Sequence, residues 1–329
     1  MPTLPDPASA LTQDEARLAF SRVLDAEVSE EQIEAFLIGL TDRGETATEV
    51  AAAASALRER LIPINAPADA IDVCGTGGDG HHTLNISTAV SLVVAAAGVP
   101  VAKHGNRAAS SKAGAADVLE ALGLDMTRAG ETAEASLRDI GICFLFAANH
   151  HPAMRRIQPI RQKIGRRTIF NLMGPLANPA RVGRQLIGIA RPGYVHLYAK
   201  AMAELGTDMS YIVSGDEGLD ELSLAGGNEV AEVTRNGVHM MRLSAYDAGL
   251  SSRPTEDIRG GDVHHNAAAL KRLLGGEQGA YRDAVLFNAA AAFRIANRAS
   301  SLETGVELAA DTLDSGRAGD LLDRWIAYS

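Results

Sequence analysis

The chain has 329 residues, 46% of them apolar and 22% charged, which is enough to bury the cores of two domains or of one large one. Its formal net charge of −10 argues against a nucleic-acid partner, because proteins that bind phosphate backbones usually carry a basic excess or a basic stripe. The most apolar stretch, residues 89–102, is too short for a membrane span and is interrupted by Gly98 and Pro100, so we expect no membrane association.

The first 62 residues predict helices and no strand. Three capping boxes occur in succession, each pairing a hydroxyl with an acid or amide three residues later: Thr12 with Glu15, Ser29 with Gln32, and Thr46 with Glu49. An apolar stripe at helical spacing over 33–40 indicates either core packing or a dimer surface. A linker follows at 63–68, so we expect a helical domain over 1–66, with a possible helical contribution from 152–180.

The first residues contain prolines and acids where a signal peptide has a basic start and an apolar core, and we expect a cytoplasmic protein.

After the linker, strands and helices alternate. Short apolar runs predict strands at Ile71–Cys74, Val99–Ala102, Ile142–Phe146, Leu186–Ile189 and Tyr211–Val213, and helices are predicted at 85–98, 117–123, 131–140 and 195–205. This alternation is typical of an α/β domain with a mostly parallel central sheet, which we place at 67–329. Ligands gather at the carboxyl ends of such strands, where the loops 75–83 and 103–112 begin. A hairpin is predicted around Asn236-Gly237, a pair that suits a type I′ turn.

Cysteine and histidine usage argues against a structural metal centre. Cys74 and Cys143 lie in predicted strands and are expected to be reduced core thiols, as in a cytosolic protein. Adjacent histidine pairs occur at 81–82, 150–151 and 264–265, but the spaced Cys and His ligands of a zinc site do not accompany them. We therefore expect no zinc.

A glycine-rich loop, GTGGDG at 75–80, follows the first predicted strand and precedes a helix. Its glycines let the backbone turn tightly and bring N–H groups close to an anion, and the helix that follows adds its positive end. The loop matches neither the Walker pattern nor the G-x-G-x-x-G dinucleotide fingerprint. Four polar side chains come next, at Thr83, Asn85, Ser87 and Thr88, which is more than one helix cap requires. A phosphate cradle is the favoured interpretation, and an ordinary turn is the alternative.

A second polar segment, KHGNRAASSK at 103–112, follows the second predicted strand. It carries three cations and several hydrogen-bonding side chains around Gly105. The segment is either a solvated basic turn or a lid that clamps phosphates through charge-assisted hydrogen bonds, and we favour the lid.

Adjacent carboxylates at Asp220 and Glu221 follow the fifth predicted strand, in a loop that also contains Asp216 and Glu217. Beside a phosphate site either pair could bind Mg²⁺, which prefers oxygen ligands and shares them with substrate phosphates. Spacing alone does not choose between the two pairs. A basic run without an acid covers 155–167; most of it is expected to be a solvated helix face, from which one arginine could hold a substrate carboxylate.

Five motifs in order resemble the anthranilate phosphoribosyltransferase family: GTGGDG, the NIST of 85–88, KHGNRAASS, NLMGPLANPA at 171–180 and GLDE at 218–221. The resemblance runs from about residue 10 to the C-terminus. It implies a small helical N-terminal domain and a larger α/β domain, with the active site in the cleft between them and a homodimer formed through the helical domains. It also implies a reaction of tryptophan biosynthesis, in which anthranilate and phosphoribosyl pyrophosphate combine, pyrophosphate is released and Mg²⁺ is the cofactor.

The resemblance further implies the site residues. Those expected to line the phosphoribosyl pyrophosphate site are Gly75, Gly78, Asp79, Thr83, Asn85, Ile86, Ser87, Thr88, Lys103, His104, Gly105, Asn106, Arg107, Ala108, Ala109, Ser110, Ser111 and Ala115. Those expected to contact anthranilate are Gly75, Asn106, His151 and Arg161, with His104 near its path, and those expected to bind magnesium are Ser87, Asp220 and Glu221. This chain departs from the family at 113 and 115, where alanines stand in place of frequent serines. The backbone N–H at 115 can still serve a phosphate, so we expect function to survive without a hydroxyl there.

The chemistry of this reaction matches the residues. Loss of pyrophosphate from ribose places negative charge on the leaving group, which Mg²⁺, backbone amides and Lys103 would neutralise. The aromatic amine is neutral at pH 7, so no acid or base catalyst is assigned. The enzyme alternative of similar fold, a pyrimidine nucleoside phosphorylase, should carry a Lys-x-Ser-x-x-Gly loop, which KHGNRAASS does not match. A non-catalytic relative that binds nucleic acid should be basic and should lack Asn106 and Arg161.

Overall fold

The computed structural model describes residues 2–108 and 112–329. Three residues expected in the phosphate site, Ala109, Ser110 and Ser111, lie outside the described residues. The strands are β1 (Ile71–Gly75), β2 (Val101–Gly105), β3 (Ile142–Phe146), β4 (Arg184–Gly188), β5 (Met209–Gly215), β6 (Asn228–Thr234) and β7 (Gly237–Leu243). They form one sheet in the order β3-β2-β1-β4-β5-β6-β7, parallel from β3 to β5 and antiparallel from β5 to β7.

Helices precede, connect and follow the strands. They are α1 (Gln13–Leu24), α2 (Glu30–Arg43), α3 (Ala47–Glu59), α4 (Ile86–Ala96), α5 (Ala115–Leu122), α6 (Met126–Glu131), α7 (Ala133–Ile140), α8 (Ala147–His150), α9 (Met154–Ile164), α10 (Met173–Leu176), α11 (Val195–Leu205), α12 (Val263–Leu274), α13 (Ala280–Ile295), α14 (Leu302–Asp314) and α15 (Arg317–Tyr328). Within the described ranges, none of these helices combines the length and the apolar character needed to cross a bilayer. The predicted fold class, a helical N-terminal part followed by an α/β domain with a mostly parallel sheet, is confirmed.

The first three helices begin at the predicted capping boxes. In each, the side chain of Thr12, Ser29 or Thr46 accepts from the backbone N–H three residues later, and the acid or amide there accepts from the cap. Glu49 is buried and also accepts from Leu11 N at 3.0 Å, which ties the start of α1 to α3. Local capping therefore sets where these helices begin, and a buried carboxylate joins them.

The two faces of the sheet are covered by separate apolar cores. One core contains α4, α5 and α12–α15, with Val93, Phe287 and Trp325 among its buried side chains. The other contains α1–α3 and α9–α11, and it reaches the sheet at Cys74 and Ile187. The helices α9 and α10 belong to 152–180, so this segment packs with the N-terminal helices; the boundary between 1–66 and 67–329 stays a prediction.

The predicted position of β2 is wrong. The strand begins at Val101 and continues to Gly105, so Lys103 and His104 lie in the sheet and not in a loop. Polar side chains interrupted the apolar pattern on which the prediction depended. They are tolerated inside the sheet because the side chain of each has a hydrogen-bond partner, Val73 O for Lys103 and Gly174 O for His104.

Two further local predictions differ from the structure in detail. The helix predicted at 131–140 is present as α7, which begins two residues later, at Ala133, because α6 occupies the chain up to Glu131. The hairpin between β6 and β7 is present, but its turn is not type I′, which requires positive φ at both central residues. Neither Arg235 nor Asn236 has a positive φ; the left-handed conformation is at Gly237, with φ of 128°.

Candidate active site

The glycine loop at 75–80 lies at the carboxyl edge of the sheet. Gly77, Gly78 and Gly80 have φ of 72°, 74° and 83°, a region in which residues with a side chain are strained. Thr76 N donates to Gly188 O at 2.9 Å, so the loop starts alongside β4. Three residues of this loop therefore adopt the backbone conformation that glycine permits, as the prediction of a tightly turning loop requires.

Two side chains hold this loop from opposite sides. Asp220 Oδ2 accepts from Gly77 N at 2.6 Å. Arg167 Nη2 donates to the carbonyls of Gly77 and Gly78, each at 2.7 Å, and a β-carbon at Gly78 would overlap the guanidinium. A β-carbon at Gly188 would likewise overlap the main chain of Asp220. Glycines thus permit the close approach of both supporting groups.

The carboxylates of Asp220 and Glu221 lie beside the glycine loop. Glu221 is buried, and its Oε1 accepts from Ser87 N in the first turn of α4 at 3.1 Å. Burial, with the neighbouring carboxylate of Asp79, raises the pKa of Asp220 to about 7. Burial, with the charge of Asp220, raises the pKa of Glu221 to about 8, although Lys103 opposes the shift. Crowded carboxylates next to a hydroxyl are the hard oxygen donors that Mg²⁺ prefers, so these residues fit that ion.

The alternative carboxylate pair is engaged elsewhere. Asp216 forms an ion pair with Arg242 at 2.5 Å. Glu217 accepts hydrogen bonds from the hydroxyls of Ser223 and Thr255. Among residues 2–108 and 112–329, no three His, Cys, Asp or Glu side chains are grouped so that they could hold a metal ion by themselves. The geometry therefore favours the first pair as the carboxylates open to a substrate-bound ion.

Lys103 lies beneath the glycine loop and not in a lid. Only 2% of its surface is exposed, and its Nζ donates to Val73 O at 2.8 Å and to Ser87 Oγ at 3.2 Å. Burial lowers the pKa of Lys103, while the charge of Asp72 raises it. The lid interpretation is wrong for this residue, whose ammonium group instead contacts the hydroxyl expected to bind metal.

Exposure divides the predicted site residues into three sets. The buried ones are Ile86, Thr88, Lys103, His104, His151 and Glu221. The half-buried ones are Gly75, Asp79, Thr83, Asn85, Ser87, Gly105, Ala108, Ala115, Arg161 and Asp220. The exposed ones are Gly78, Asn106 and Arg107. The direct contacts available to a ligand in this conformation therefore come mainly from the second and third sets.

The polar residues at the start of α4 are not simple helix caps. Asn85 is the N-cap residue but makes no capping bond; its side chain donates to Ala113 O at 3.2 Å and accepts from Asn266 Nδ2 at 2.8 Å. Thr88 is buried, and its hydroxyl has no hydrogen-bond partner among the described residues. Thr83 forms an isolated bridge to the segment before α12. The expectation that this cluster exceeds the needs of one cap agrees with these contacts.

The segment after β2 is held by acids of α5. Asp117 Oδ2 accepts from Ala108 N at 2.9 Å. Arg107 forms ion pairs with Asp117 at 3.0 Å and with Glu120 at 2.8 Å, so its charge faces α5 in this conformation. Asn106 is exposed and accepts from Arg107 N through its own side chain. The proposed phosphate and anthranilate contacts of these residues stay predictions.

Two buried histidines, His104 and His151, are in contact. Nδ1 of His104 donates to Gly174 O at 2.9 Å, so its Nε2 can only accept, from Nε2 of His151 at 3.2 Å. Burial, with His151, lowers the pKa of His104 to about 3. Burial, with His150, lowers the pKa of His151 to about 4. Both rings are therefore neutral at pH 7.

The basic run of 155–167 has several roles. Lys163 and Arg166 form ion pairs with acids of α2, at 2.6 and 2.7 Å, and Arg167 bonds the glycine loop. Arg161 is half-buried, and its one hydrogen bond to the described residues is to Gln158, at 3.5 Å. Burial lowers the pKa of Arg161. Of these four cations, Arg161 alone has neither a carboxylate nor a main-chain carbonyl partner among the described residues, so its charge is available to an anion.

Sequence reasoning did not select Asp72 or Asn178. Asp72 is fully buried in β1, where it accepts from Asn178 Nδ2 at 2.8 Å and from His104 N at 3.1 Å. A carboxylate within a short apolar run was the available signal, because a charge is kept in a core only when it is paired. Asn178 lies in the NLMGPLANPA motif, which contributed only to the resemblance.

Known proteins match this chain over most of their length. Residues 67–319 match the "Glycosyl transferase family, a/b domain", and residues 8–61 match the "Glycosyl transferase family, helical bundle domain". The anthranilate phosphoribosyltransferase of Sphingopyxis alaskensis is 68% identical over 98% of each chain, and that of Novosphingobium aromaticivorans is 66% identical over 99% of each. This chain belongs to the anthranilate phosphoribosyltransferase family.

Solved structures of the family have the same fold. The anthranilate phosphoribosyltransferase of Thermus thermophilus is 42% identical with a TM-score of 0.90, over 98% of this chain and 99% of that one. The enzyme of Saccharomyces cerevisiae in complex with PRPP and Mg is 27% identical with a TM-score of 0.88, over 97% of this chain and 93% of that one. The chain is thus a phosphoribosyltransferase of tryptophan biosynthesis, and its family membership decides against the nucleoside phosphorylase and the nucleic-acid-binding alternatives.

Proposed function

We propose that this chain transfers the 5-phosphoribosyl group from phosphoribosyl pyrophosphate to the amine of anthranilate and releases pyrophosphate. The observation that carries the proposal is the convergence of the glycine loop, the Ser87 hydroxyl and the carboxylates of Asp220 and Glu221 at one edge of the sheet. Amide donors for phosphate oxygens and oxygen ligands for a divalent cation lie side by side there. The yeast relative solved with PRPP and Mg supports the same substrate and ion for this chain.

Phosphoribosyl pyrophosphate would lie between the glycine loop and the segment after β2. Asp220 already bonds Gly77 N, so a phosphate must use other amides of this loop or replace that contact. Asn106 is exposed and can bond the substrate without moving a buried group. Arg107 can do so only by leaving Asp117 and Glu120. The described predicted residues, from Gly75 to Ala115, are thus proposed as this half of the site.

Ser87, Asp220 and Glu221 are proposed to hold Mg²⁺, which when bound neutralises charge on the departing pyrophosphate. The residues of the chain supply the rest of the electrostatic work. Amides of the glycine loop donate to phosphate oxygens, and Lys103 orients the Ser87 hydroxyl from below. Asp220 and Glu221 must release their protons to bind a cation, since burial has raised the pKa of each, to about 7 and about 8.

Anthranilate is proposed to bind at Arg161, Asn106 and His151, beside Gly75. The weakly paired guanidinium of Arg161 suits a carboxylate, which a planar fork can bind through two hydrogen bonds. The neutral His104–His151 pair adds no charge that would repel an aromatic amine. The amine is itself neutral, so positioning is the main task and no acid or base is assigned.

Loss of anthranilate fluorescence tests the proposed reaction. The signal should fall when the chain is mixed with anthranilate, phosphoribosyl pyrophosphate and Mg²⁺, and should persist when the chain, phosphoribosyl pyrophosphate or Mg²⁺ is omitted. Stoichiometric appearance of pyrophosphate provides a second readout. A folded protein that consumes no anthranilate under these conditions would refute the proposal, and phosphate-dependent cleavage of a pyrimidine nucleoside would replace it with the alternative enzyme.

We also propose a cytoplasmic homodimer formed through the helical domain of 1–66, with 67–329 as the catalytic domain. The apolar side chain of Leu18 on α1 is 51% exposed in the single chain, which supports a covered surface there. Buried free thiols at Cys74 and Cys143 agree with a reducing compartment. Light scattering should give a dimer, and Leu18→Glu should shift it towards monomer; a wild-type monomer would contradict this assembly.

A further inference from the structure

The neighbouring strands β1 and β2 lose their regular ladder pairing before they reach the active site. Ile71 N donates to Pro100 O at 2.9 Å, and Ile71 is paired with Val101. No later pair of these two described strands is in register, whereas β2 with β3 and β1 with β4 are each paired at five positions. A regular parallel ladder would continue with Val73 and Lys103.

Side chains bond the main-chain groups that such a ladder would pair next. Val73 O, which would accept from the main chain of β2, accepts from Lys103 Nζ at 2.8 Å. His104 N, which would donate to the main chain of β1, donates to Asp72 Oδ1 at 3.1 Å. The ladder is thus replaced by one ammonium group and one carboxylate.

An amide from a distant loop completes the replacement. Asn178 Nδ2 donates to Ala102 O at 2.9 Å and to Asp72 Oδ2 at 2.8 Å. Its Oδ1 accepts from Ala180 N at 2.8 Å, so both ends of the amide are used. We call Asp72, Lys103 and Asn178 the wedge.

The wedge is enclosed, which makes its bonds difficult to give up. Asp72, Lys103 and Asn178 are 0%, 2% and 3% exposed. A buried polar group without a partner is costly, so the strands can neither close up nor move further apart without leaving wedge atoms or main-chain groups unpaired. The way in which the carboxyl ends of β1 and β2 are held to each other therefore depends on three side chains.

We propose that the wedge positions the two substrate loops for phosphoribosyl transfer, with Asp72 and Asn178 as positioning residues. β1 leads directly into the glycine loop and β2 into the segment at 105–108, so side chains that hold the ends of these strands also set where the two loops begin. The wedge bonds Val73 O and His104 N near those ends and places Lys103 against the Ser87 hydroxyl. This inference rests on the proposed function of the site for its kinetic test.

Three variants test the wedge by changing the hydrogen-bond donors and acceptors at positions 72 and 178. In Asp72→Asn the new NH₂ group must face a donor, either His104 N–H or the amide of Asn178. In Asn178→Asp the new carboxylate faces that of Asp72, so two buried acceptors meet without a donor between them. The exchange variant, Asp72→Asn with Asn178→Asp, restores a donor and an acceptor between the two positions, while Ala102 O and Cys74 Sγ lose their partners.

The matched control is Thr207→Val at the amino edge of the sheet. Thr207 is also buried, and its hydroxyl bonds Gly183 O and Ser210 Oγ, each at 2.8 Å. The change removes buried hydrogen bonds far from the substrate loops. It should lower the melting temperature and leave kcat/KM for phosphoribosyl pyrophosphate within about twofold of wild type, as expected for distant sites.

Each single wedge variant should lower kcat/KM for phosphoribosyl pyrophosphate by about 100-fold, the loss expected when reacting groups move by about 1 Å. The exchange variant should be about tenfold more active than either single variant, because it repairs most of the bonds. Single variants with wild-type kcat/KM, an exchange variant no better than both singles, or an equal kinetic loss in Thr207→Val would overturn the proposal. If Asp72→Asn does not fold, Asn178→Ser, which removes both donors, takes its place.

Hydrogen exchange separates failure of the wedge from failure of the proposed function. The amide of His104 donates to a buried carboxylate, so peptides that contain it should exchange slowly in wild type and faster in Asp72→Ala, which removes both acceptor oxygens. This readout needs no substrate. An inactive wild type with the expected exchange would contradict the proposed function alone, whereas unchanged exchange in Asp72→Ala would contradict the wedge.

Discussion

Replacement of Arg161 by alanine should weaken the binding of anthranilate far more than that of phosphoribosyl pyrophosphate. The guanidinium is half-buried, and its one bond to the described residues, to Gln158, is 3.5 Å long. Its removal breaks no recorded ion pair, so the free energy of unfolding should change little. A charge-assisted hydrogen bond to a carboxylate is worth about 1.5–3 kcal/mol, which corresponds to an increase of about 10- to 150-fold in KM for anthranilate.

Initial rates with each substrate varied in turn measure the two KM values. Arg156→Ala, an exposed position on the same helix, is the matched control and should leave both unchanged. Arg161→Lys keeps the charge but loses the planar fork, so its KM for anthranilate should lie between those of wild type and Arg161→Ala. Equal increases in both KM values, or no increase for anthranilate, would refute the assignment of Arg161 to the substrate carboxylate.

Three other predictions concern the metal, the glycine loop and the histidine pair. Asp220→Asn with Glu221→Gln should abolish magnesium-dependent turnover, while Asp216→Asn with Glu217→Gln should keep most of it; the reverse result in a magnesium titration would move the ion to the second pair. Arg167→Ala should raise KM for phosphoribosyl pyrophosphate about fivefold, since it loses bonds to the glycine loop worth about 1 kcal/mol, and an unchanged KM would remove Arg167 from substrate binding. His151 has a pKa of about 4 in the folded protein and about 6.5 when unfolded, so unfolding takes up a proton between these values and wild-type stability falls as the pH drops through this range. The stability difference between wild type and His151→Gln, measured by urea unfolding at pH 7 and pH 5, should therefore narrow at pH 5; a constant difference would contradict the shift.

Local signals in the sequence predicted the helices well. The capping boxes placed the starts of α1, α2 and α3, and the apolar periodicity of 195–205 predicted α11 with its observed bounds. These signals depend on residues three or four positions apart, which remain neighbours in any helix. The convergence of the glycine loop with Asp220 also followed from sequence, because parallel strands bring their carboxyl ends to one edge of the sheet.

Contacts between distant segments limited the rest of the prediction. Lys103 and His104 were placed in a loop because their partners, Val73 O and Gly174 O, are not near them in sequence. Arg167 was expected to be solvated, although it bonds carbonyls about ninety residues earlier in the chain. A polar residue in a buried strand is predictable only once its partner is known, and a single sequence does not provide the partner.

The apolar cluster that α1–α3 share with the sheet also bears on engineering. The two glycosyl transferase family matches end at residue 61 and begin at residue 67, which suggests two exchangeable modules. The buried side chains do not follow that division, because Phe20 and Phe36 belong to the same cluster as Tyr198 and Ile187. A chimera that takes its first 66 residues from a relative would have to match them to α9, α10 and α11 of the recipient. Grafting of the N-terminal helices is therefore a core-redesign problem, and the short linker is a poor guide to where such a chimera should be joined.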